Sequence, residues 1–260
     1  MAAESVETTQ DAVLGGRLTL RQPRRGHRVG HDAILLAAAT DARDGERAVE
    51  LGAGVGAAGL ALAQRVAGLK VTLVEIDPVL ADLAAENASH NGLSNRVRVA
   101  ALDVAADAGR WAAAGLAPGG IERVLMNPPF NDVARQNVSP DTRRRLAHAA
   151  SADTLTHWIG RAGWLLAPGG TLTLIWRADG LSDVLAALAA LAAFGGVAVM
   201  PIYPRPNAAA IRILVRAVKD SRAPFWLAPG LTLNDADGRP SAEAEAILRE
   251  GKTLDLSGAG

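Results

Sequence analysis

Asn127-Pro128-Pro129-Phe130 brings together residue types able to hold an amino group on a flat ring. The residue before a proline is pushed toward extended backbone, and two prolines fix φ and delete two N–H donors. The nearby carbonyls are then free to accept from a ligand. Such a turn offers the Asn127 side-chain oxygen and the Pro128 carbonyl as two fixed acceptors, with the Phe130 ring beside them as a stacking surface. The lone pair of an exocyclic amine is delocalised into its ring, and two acceptors that draw both N–H bonds out of plane restore its nucleophilicity. Asn-Pro also opens ordinary turns, and an aromatic after it often belongs to the core. The assignment therefore leans on a second stretch upstream.

That stretch is Glu50-Leu-Gly-Ala-Gly-Val-Gly56. Gly52, Gly54 and Gly56 permit a tight turn and close ligand approach, and the helix that follows offers unpaired N–H groups at its N-terminus. Gly54-Val-Gly-Ala-Ala-Gly59 also matches the dinucleotide fingerprint, with Glu75 about twenty residues on, where a ribose-binding acid belongs. Glu50 argues for a different ligand. A carboxylate directly before the glycines repels a pyrophosphate but pairs with the ammonium of an amino-acid-bearing nucleoside such as S-adenosylmethionine, which has no phosphate. On that reading Glu75 accepts from the two ribose hydroxyls and Ile76 lies against the adenine. Asp103, beside Val104, accepts from the adenine amino group. Asp103 could equally cap a helix, and Asp77 reads as an Asx turn ahead of Pro78.

The elements that must position these residues follow a strand–helix–strand rhythm. Short apolar runs at 48–51, 70–75, 97–101, 121–126 and 171–176 read as buried parallel strands, and helices read at about 57–67, 79–90, 153–166 and 181–194. The glycine turn and Asn127 then each follow the carboxyl end of a strand, where open α/β sheets place chemistry. Only a loop joins the runs at 197–203 and 210–217, so they are expected to pair antiparallel. The expected fold is α/β: a Rossmann-like, mostly parallel seven-stranded sheet with an antiparallel last strand. Upstream, 12–20 reads as a hairpin around Gly15-Gly16, followed by a helix over 30–39 with Asp32 as its cap. Residues 1–40 are thus expected to form a tail, hairpin and capping helix, and 41–220 the main domain. Residues 221–260 read as an extension packed on it.

Composition narrows the partners. The 260 residues are 49% hydrophobic, with 27 basic and 27 acidic side chains, so a partner such as nucleic acid must be engaged by a local patch. Cysteine is absent, which removes disulfides, thiolate nucleophiles and cysteine metal sites. His27, His31, His90, His148 and His157 are not spaced as a ligand set, and no metal is expected. No charged-then-apolar leader and no apolar run of membrane-spanning length is present, and a cytoplasmic location is expected. Among the cations only Lys70, Lys219 and Lys252 are lysine, an arginine bias that weakens any single arginine as a sign of function. Yet 17–28 contains no acid. Arg21, Arg24, Arg25 and Arg28 are expected to grip phosphates there, with Arg143, Arg144 and Arg145, in the loop after the tetrapeptide, as the opposite wall.

The glycine turn, Glu75-Ile-Asp-Pro78 and Asn127-Pro-Pro-Phe130 together resemble the amino methyltransferases of the small-domain type, within the class I fold. Leu18-Thr-Leu-Arg-Gln-Pro23, Val29-Gly-His-Asp-Ala-Ile-Leu-Leu-Ala37, Tyr203-Pro-Arg205 and Ala210-Ile-Arg-Ile-Leu-Val-Arg-Ala-Val-Lys219 are similar to bacterial tRNA adenine-N6 methyltransferases. That resemblance spans about residues 14–256. It implies S-adenosylmethionine as methyl donor and the adenosine beside the anticodon of a valine tRNA as acceptor. The family usually carries more lysine and a basic surface, and this chain departs from it there. Methyl transfer to guanine-N2 in ribosomal RNA or to a protein glutamine stands as the alternative. The glycines alone would also suit a non-catalytic nucleotide-binding module or a dinucleotide oxidoreductase.

Overall fold

The computed structural model describes residues 7–25, 29–129 and 140–258, with side chains described outside 140–152. Strands β3 (Arg47–Leu51), β4 (Lys70–Glu75), β5 (Val97–Ala101), β6 (Ile121–Met126) and β7 (Leu166–Arg177) are the predicted parallel set, in the order β7-β6-β3-β4-β5. Beyond β7 the sheet continues through β9 (Arg212–Lys219), antiparallel to β7, and β8 (Phe194–Tyr203), antiparallel to β9. These seven strands match the expected architecture. Two strands of two residues each extend it: β10 (Trp226–Leu227) and β11 (Leu231–Thr232) both run parallel along β8. A two-residue strand has no period to read in a sequence.

Helices α1 (His31–Ala39), α2 (Ala57–Arg65) and α3 (Pro78–His90) cover one face, and α4 (Ala108–Ala113), α5 (Pro140–Leu165) and α6 (Leu181–Leu191) the other. Strand alternation divides the core between them. Ala48, Val71 and Leu73 pack toward α2, while Val49, Leu51 and Val74 pack toward α5. The sequence places the start of α5 near residue 153, but the helix begins at Pro140. Proline suits a first helical turn, and the arginine and alanine run that follows consists of good helix formers. Arg143, Arg144 and Arg145 therefore belong to a helix and not to a loop. α6 stops earlier than expected because Ala192 adopts a left-handed backbone, φ 49°, and β8 begins at Phe194. The cap of α1 is Gly30; Asp32 sits inside the first turn and instead accepts from Arg212 Nε at 2.8 Å.

The N-terminal hairpin, β1 (Thr8–Val13) with β2 (Leu18–Pro23), is fastened by asparagines. Asn87 Oδ1 accepts from the Arg21 amide at 2.7 Å and its Nδ2 donates to the Arg21 carbonyl at 3.0 Å. Asn91 repeats the pair with Thr19, at 2.9 and 2.7 Å. Four helical residues rise about 6 Å and two strand residues about 6.6 Å, so the side-chain amides of Asn87 on α3 and of Asn91 at its C-cap imitate a neighbouring strand for alternate rungs of β2. At the other end of the chain, α7 (Ala242–Leu248) packs against α1, and the Leu254 amide donates to the Ala38 carbonyl at 2.9 Å. No helix among the described residues is long and apolar enough to cross a membrane.

Candidate active site

Between β3 and β6 the strand order reverses, since β3 leads through α2 to β4 on one side while β6 lies on the other. Such a switch point opens a crevice at the carboxyl ends of the strands. The register fixes who faces it. Leu51 is paired with both Val74 and Met126, and Glu75 with Ala101. Gly52, Glu75 and Asn127 therefore stand on neighbouring strand ends, spaced by about 4.8 Å per strand. Asp103 follows Ala101 by two residues on the next.

The glycine turn is built as its sequence requires. Gly52, Gly54 and Gly56 have φ of 66°, 55° and 87°. At Gly54 a β-carbon would meet nothing within 4 Å, so the backbone there is open to an approaching ligand. At Gly52 a β-carbon would lie 2.3 Å from the Trp158 ring, which α5 lays against the turn. Glu75 ties turn to strand: its Oε2 accepts from the Gly54 amide at 2.7 Å and its Oε1 from the Asp77 amide at 2.9 Å. Each carboxylate oxygen retains a lone pair for a further donor. Ile76 beside it is 63% exposed, an apolar surface presented to solvent next to a carboxylate. Asp77 caps α3, accepting from Val79 and Leu80 amides.

Glu50 takes a different place from the one its sequence position suggests. It shares the strand face of Ala48, so its side chain runs beneath α2, not into the turn, and Oε2 accepts from the Gly59 amide at 2.7 Å. It satisfies one of the unpaired N–H groups of the first turn of α2. Burial pushes its carboxyl up to about 8; the Gly59 hydrogen bond opposes the rise and the charge of Glu75 adds to it. Through this bond the carboxyl holds the first turn of α2. Asp103 forms an Asx turn, accepting from the Ala105 amide at 2.8 Å, and the cap of α4 is Asp107. Val104 is buried behind it.

At the end of β6, Asn127 is half-buried, Pro128 buried and Pro129 exposed. The Asn127 Oδ1 is shielded from solvent and has no hydrogen-bond partner among the described residues. A buried acceptor left unpaired costs about 1–3 kcal/mol, a cost that a ligand donor at this oxygen would relieve. Phe130 lies outside the described residues, as does Arg28, and so do the side chains of Arg143, Arg144 and Arg145. In the hairpin, Arg21 meets Glu86 at 2.6 Å and Arg24 meets Glu7 at 3.5 Å, while Arg25 is exposed. The segment free of acids in sequence thus finds acids in space. Sequence reasoning missed Trp158, Arg161 and Asn87. A tryptophan or arginine on a helix reads as core or solvated face, and only the fold shows what each touches.

The family model described as Methyltransferase small domain matches residues 27–191. The tRNA1(Val) (adenine(37)-N6)-methyltransferase of Porphyromonas gingivalis strain W83 is 34% identical over 161 residues, 60% of this chain and 61% of that protein. A protein of the same name from Tolumonas auensis is 30% identical over 156 residues, 59% of this chain and 61% of that one. The chain therefore matches about three fifths of the length of these relatives. Among solved structures, a predicted O-methyltransferase of Agrobacterium tumefaciens has a TM-score of 0.72 at 29% identity, over 86% of this chain and 98% of that one. An S-adenosylmethionine-dependent O-methyltransferase of Thermotoga maritima has a TM-score of 0.52 at 21% identity, over 77% and 69%, and shares the fold. The sheet is that of the Rossmann-like class I methyltransferases. The matched segment contains the glycine turn, Glu75, Asp103 and Asn127, and the chain belongs to the methyltransferase small domain family.

Proposed function

We propose that this protein transfers a methyl group from S-adenosylmethionine to the exocyclic N6 amine of adenine in RNA, with an adenosine of a tRNA anticodon loop as the acceptor. The observation that carries this reading is the shielded Asn127 Oδ1 at the switch point, without a hydrogen-bond partner among the described residues and one strand away from the glycine turn. The names of the Porphyromonas and Tolumonas relatives support it.

The residues present fit such a cofactor. Glu75 would hold the ribose hydroxyls, Ile76 the face of the base and Asp103 with Val104 its edge, while the open backbone at Gly54 admits the amino-acid portion. Bound there, the cofactor supplies an electrophilic methyl group on sulfur. The protein's own task is to orient the amine. Asn127 Oδ1 and the Pro128 carbonyl accept its two N–H bonds, and Phe130 stacks on the base, an interaction worth about 1–3 kcal/mol. An in-line arrangement of amine and methyl then does most of the remaining work. The name of the Agrobacterium structure raises oxygen as the acceptor. A hydroxyl must lose its proton to a base, however, and the carboxamide of Asn127 is a hydrogen-bond acceptor and not a base.

The loop after β2 supports an RNA partner. It leads to the first turn of α1, where Asp32 meets Arg212, the first residue of β9. Because β9 is antiparallel to β7, that residue lies at the same edge of the sheet as Asn127. Among the described arginines of that stretch, Arg21, Arg24 and Arg25 are exposed, and we assign them to the phosphates of the RNA. Calorimetry and a methylation assay test the proposal together. S-adenosylmethionine should bind, and Glu75→Ala should weaken it by about 1.5–3 kcal/mol, the worth of hydrogen bonds to a charged group. An unmodified tRNA transcript should gain N6-methyladenosine. Comparable binding of a nicotinamide dinucleotide, or methylation of a glutamine peptide in preference to RNA, would overturn it.

A further inference from the structure

The loop at 102–107 holds its own shape only in part. Asp103 bonds the Ala105 amide through its side chain and the Ala106 amide, at 3.0 Å, through its carbonyl. The carbonyls of Val104 and Ala106 are taken by one side chain from another element. Arg161 of α5 donates from Nε to the Val104 carbonyl at 3.1 Å and from Nη2 to the Ala106 carbonyl at 2.6 Å. Its guanidinium is itself fixed, with Cζ 5.0 Å from the ring centroids of both Trp111 and Trp164. Those two rings meet edge to face at 6.3 Å, so the planar fork has little freedom to turn. One turn earlier on α5, at i−3, Trp158 lies against Gly52. The same stretch of one helix thus touches the loop at one end of the crevice and the glycine turn at the other.

We infer that Arg161 is a positioning residue for the base end of the cofactor site, holding Asp103 and Val104 at a set distance from the glycine turn. The inference rests on the cofactor reading above. A simple tether for stability would affect the folded state as a whole. A positioning residue affects the base end of the ligand and spares the methyl-transfer step. Lysine keeps the charge but offers no planar fork for two carbonyls, and methionine keeps the packing and loses both bonds.

The test uses the full chain, with Arg161→Lys and Arg161→Met compared with the parent. S-adenosylhomocysteine binding is measured by calorimetry, and adenosine by its displacement of labelled S-adenosylhomocysteine. Both dissociation constants should rise by the same factor, about tenfold, in either variant. KM for S-adenosylmethionine should rise with them while kcat at saturation stays within about twofold of the parent. Unchanged adenosine affinity in Arg161→Lys, with tight S-adenosylhomocysteine binding by the parent, overturns this inference alone. Failure of the parent to bind either compound overturns the cofactor reading and the inference with it.

Discussion

An acceptor that no donor among the described residues reaches is the basis of the role proposed for Asn127, and the side chain can be tested directly. Asn127→Ala removes the fixed oxygen while leaving the glycine turn and Glu75 in place. Turnover should fall by on the order of 10²-fold or more, with S-adenosylmethionine affinity retained in calorimetry. A variant that lost cofactor affinity but kept its rate at saturation would reassign the residue. Glu50 makes a different prediction. Its folded carboxyl is raised from 4.5 to about 8 by burial, so the folded protein binds a proton that the unfolded chain releases. Its contribution is therefore intact below about pH 4.5 and is lost as pH rises through about 8. Relative to the parent, Glu50→Gln should have no stability advantage at acid pH and a growing one up to about pH 8. At about 1.4 kcal/mol per unit, the ceiling is on the order of 5 kcal/mol. Urea unfolding across that range checks it, and parallel pH profiles of the two proteins would contradict the account. The sequence marks Glu50 as part of the turn. Its parity with Ala48, two residues earlier, also points it beneath α2, and that parity is the signal in the sequence for its place.

Among the elements, those that bury continuous apolar runs between glycine and proline punctuation were legible: β3 to β7, α2 and α3, and the antiparallel pairing of β8 with β9. The start of α5 was hidden because Arg143-Arg144-Arg145 suggests an exposed loop, whereas arginine is also a good helix former. The docking of the hairpin could not be read either. Asn87 and Asn91 look like a solvated helix face until β2 is laid beside them. Asn87 is buried, at 1% exposure, and also donates to the Val55 carbonyl inside the glycine turn at 3.0 Å. Its replacement by leucine would strand the Arg21 amide and two carbonyls. Asn87→Leu should cost at least about 3 kcal/mol, from three unsatisfied groups at about 1 kcal/mol or more each. Hydrogen exchange should show β1 and β2 losing protection before the central sheet. Loss of protection spread evenly through the chain would argue against a local clamp.

Over the whole molecule, acidic and basic side chains balance, so any grip on RNA must come from placement. In the hairpin Arg21 and Arg24 face Glu86 and Glu7, and each would exchange a carboxylate for a phosphate on binding. Replacing Arg21, Arg24, Arg25 and Arg28 by alanine should flatten the plot of log affinity against log salt by about 0.7 for each phosphate no longer neutralised, up to about 3. Cofactor affinity should not change, and an unaltered slope would return these arginines to the solvated surface. The sheet was legible as a methyltransferase scaffold, but a scaffold does not name its acceptor; that rests on Asn127 and on the RNA. The most direct measurement is nucleoside analysis of digested tRNA from cells with the gene, without it, and with the gene carrying Asn127→Ala. The account predicts N6-methyladenosine in the first and its absence from the other two. Equal N6-methyladenosine in all three, or a gene-dependent methyl group on guanine-N2, would contradict it.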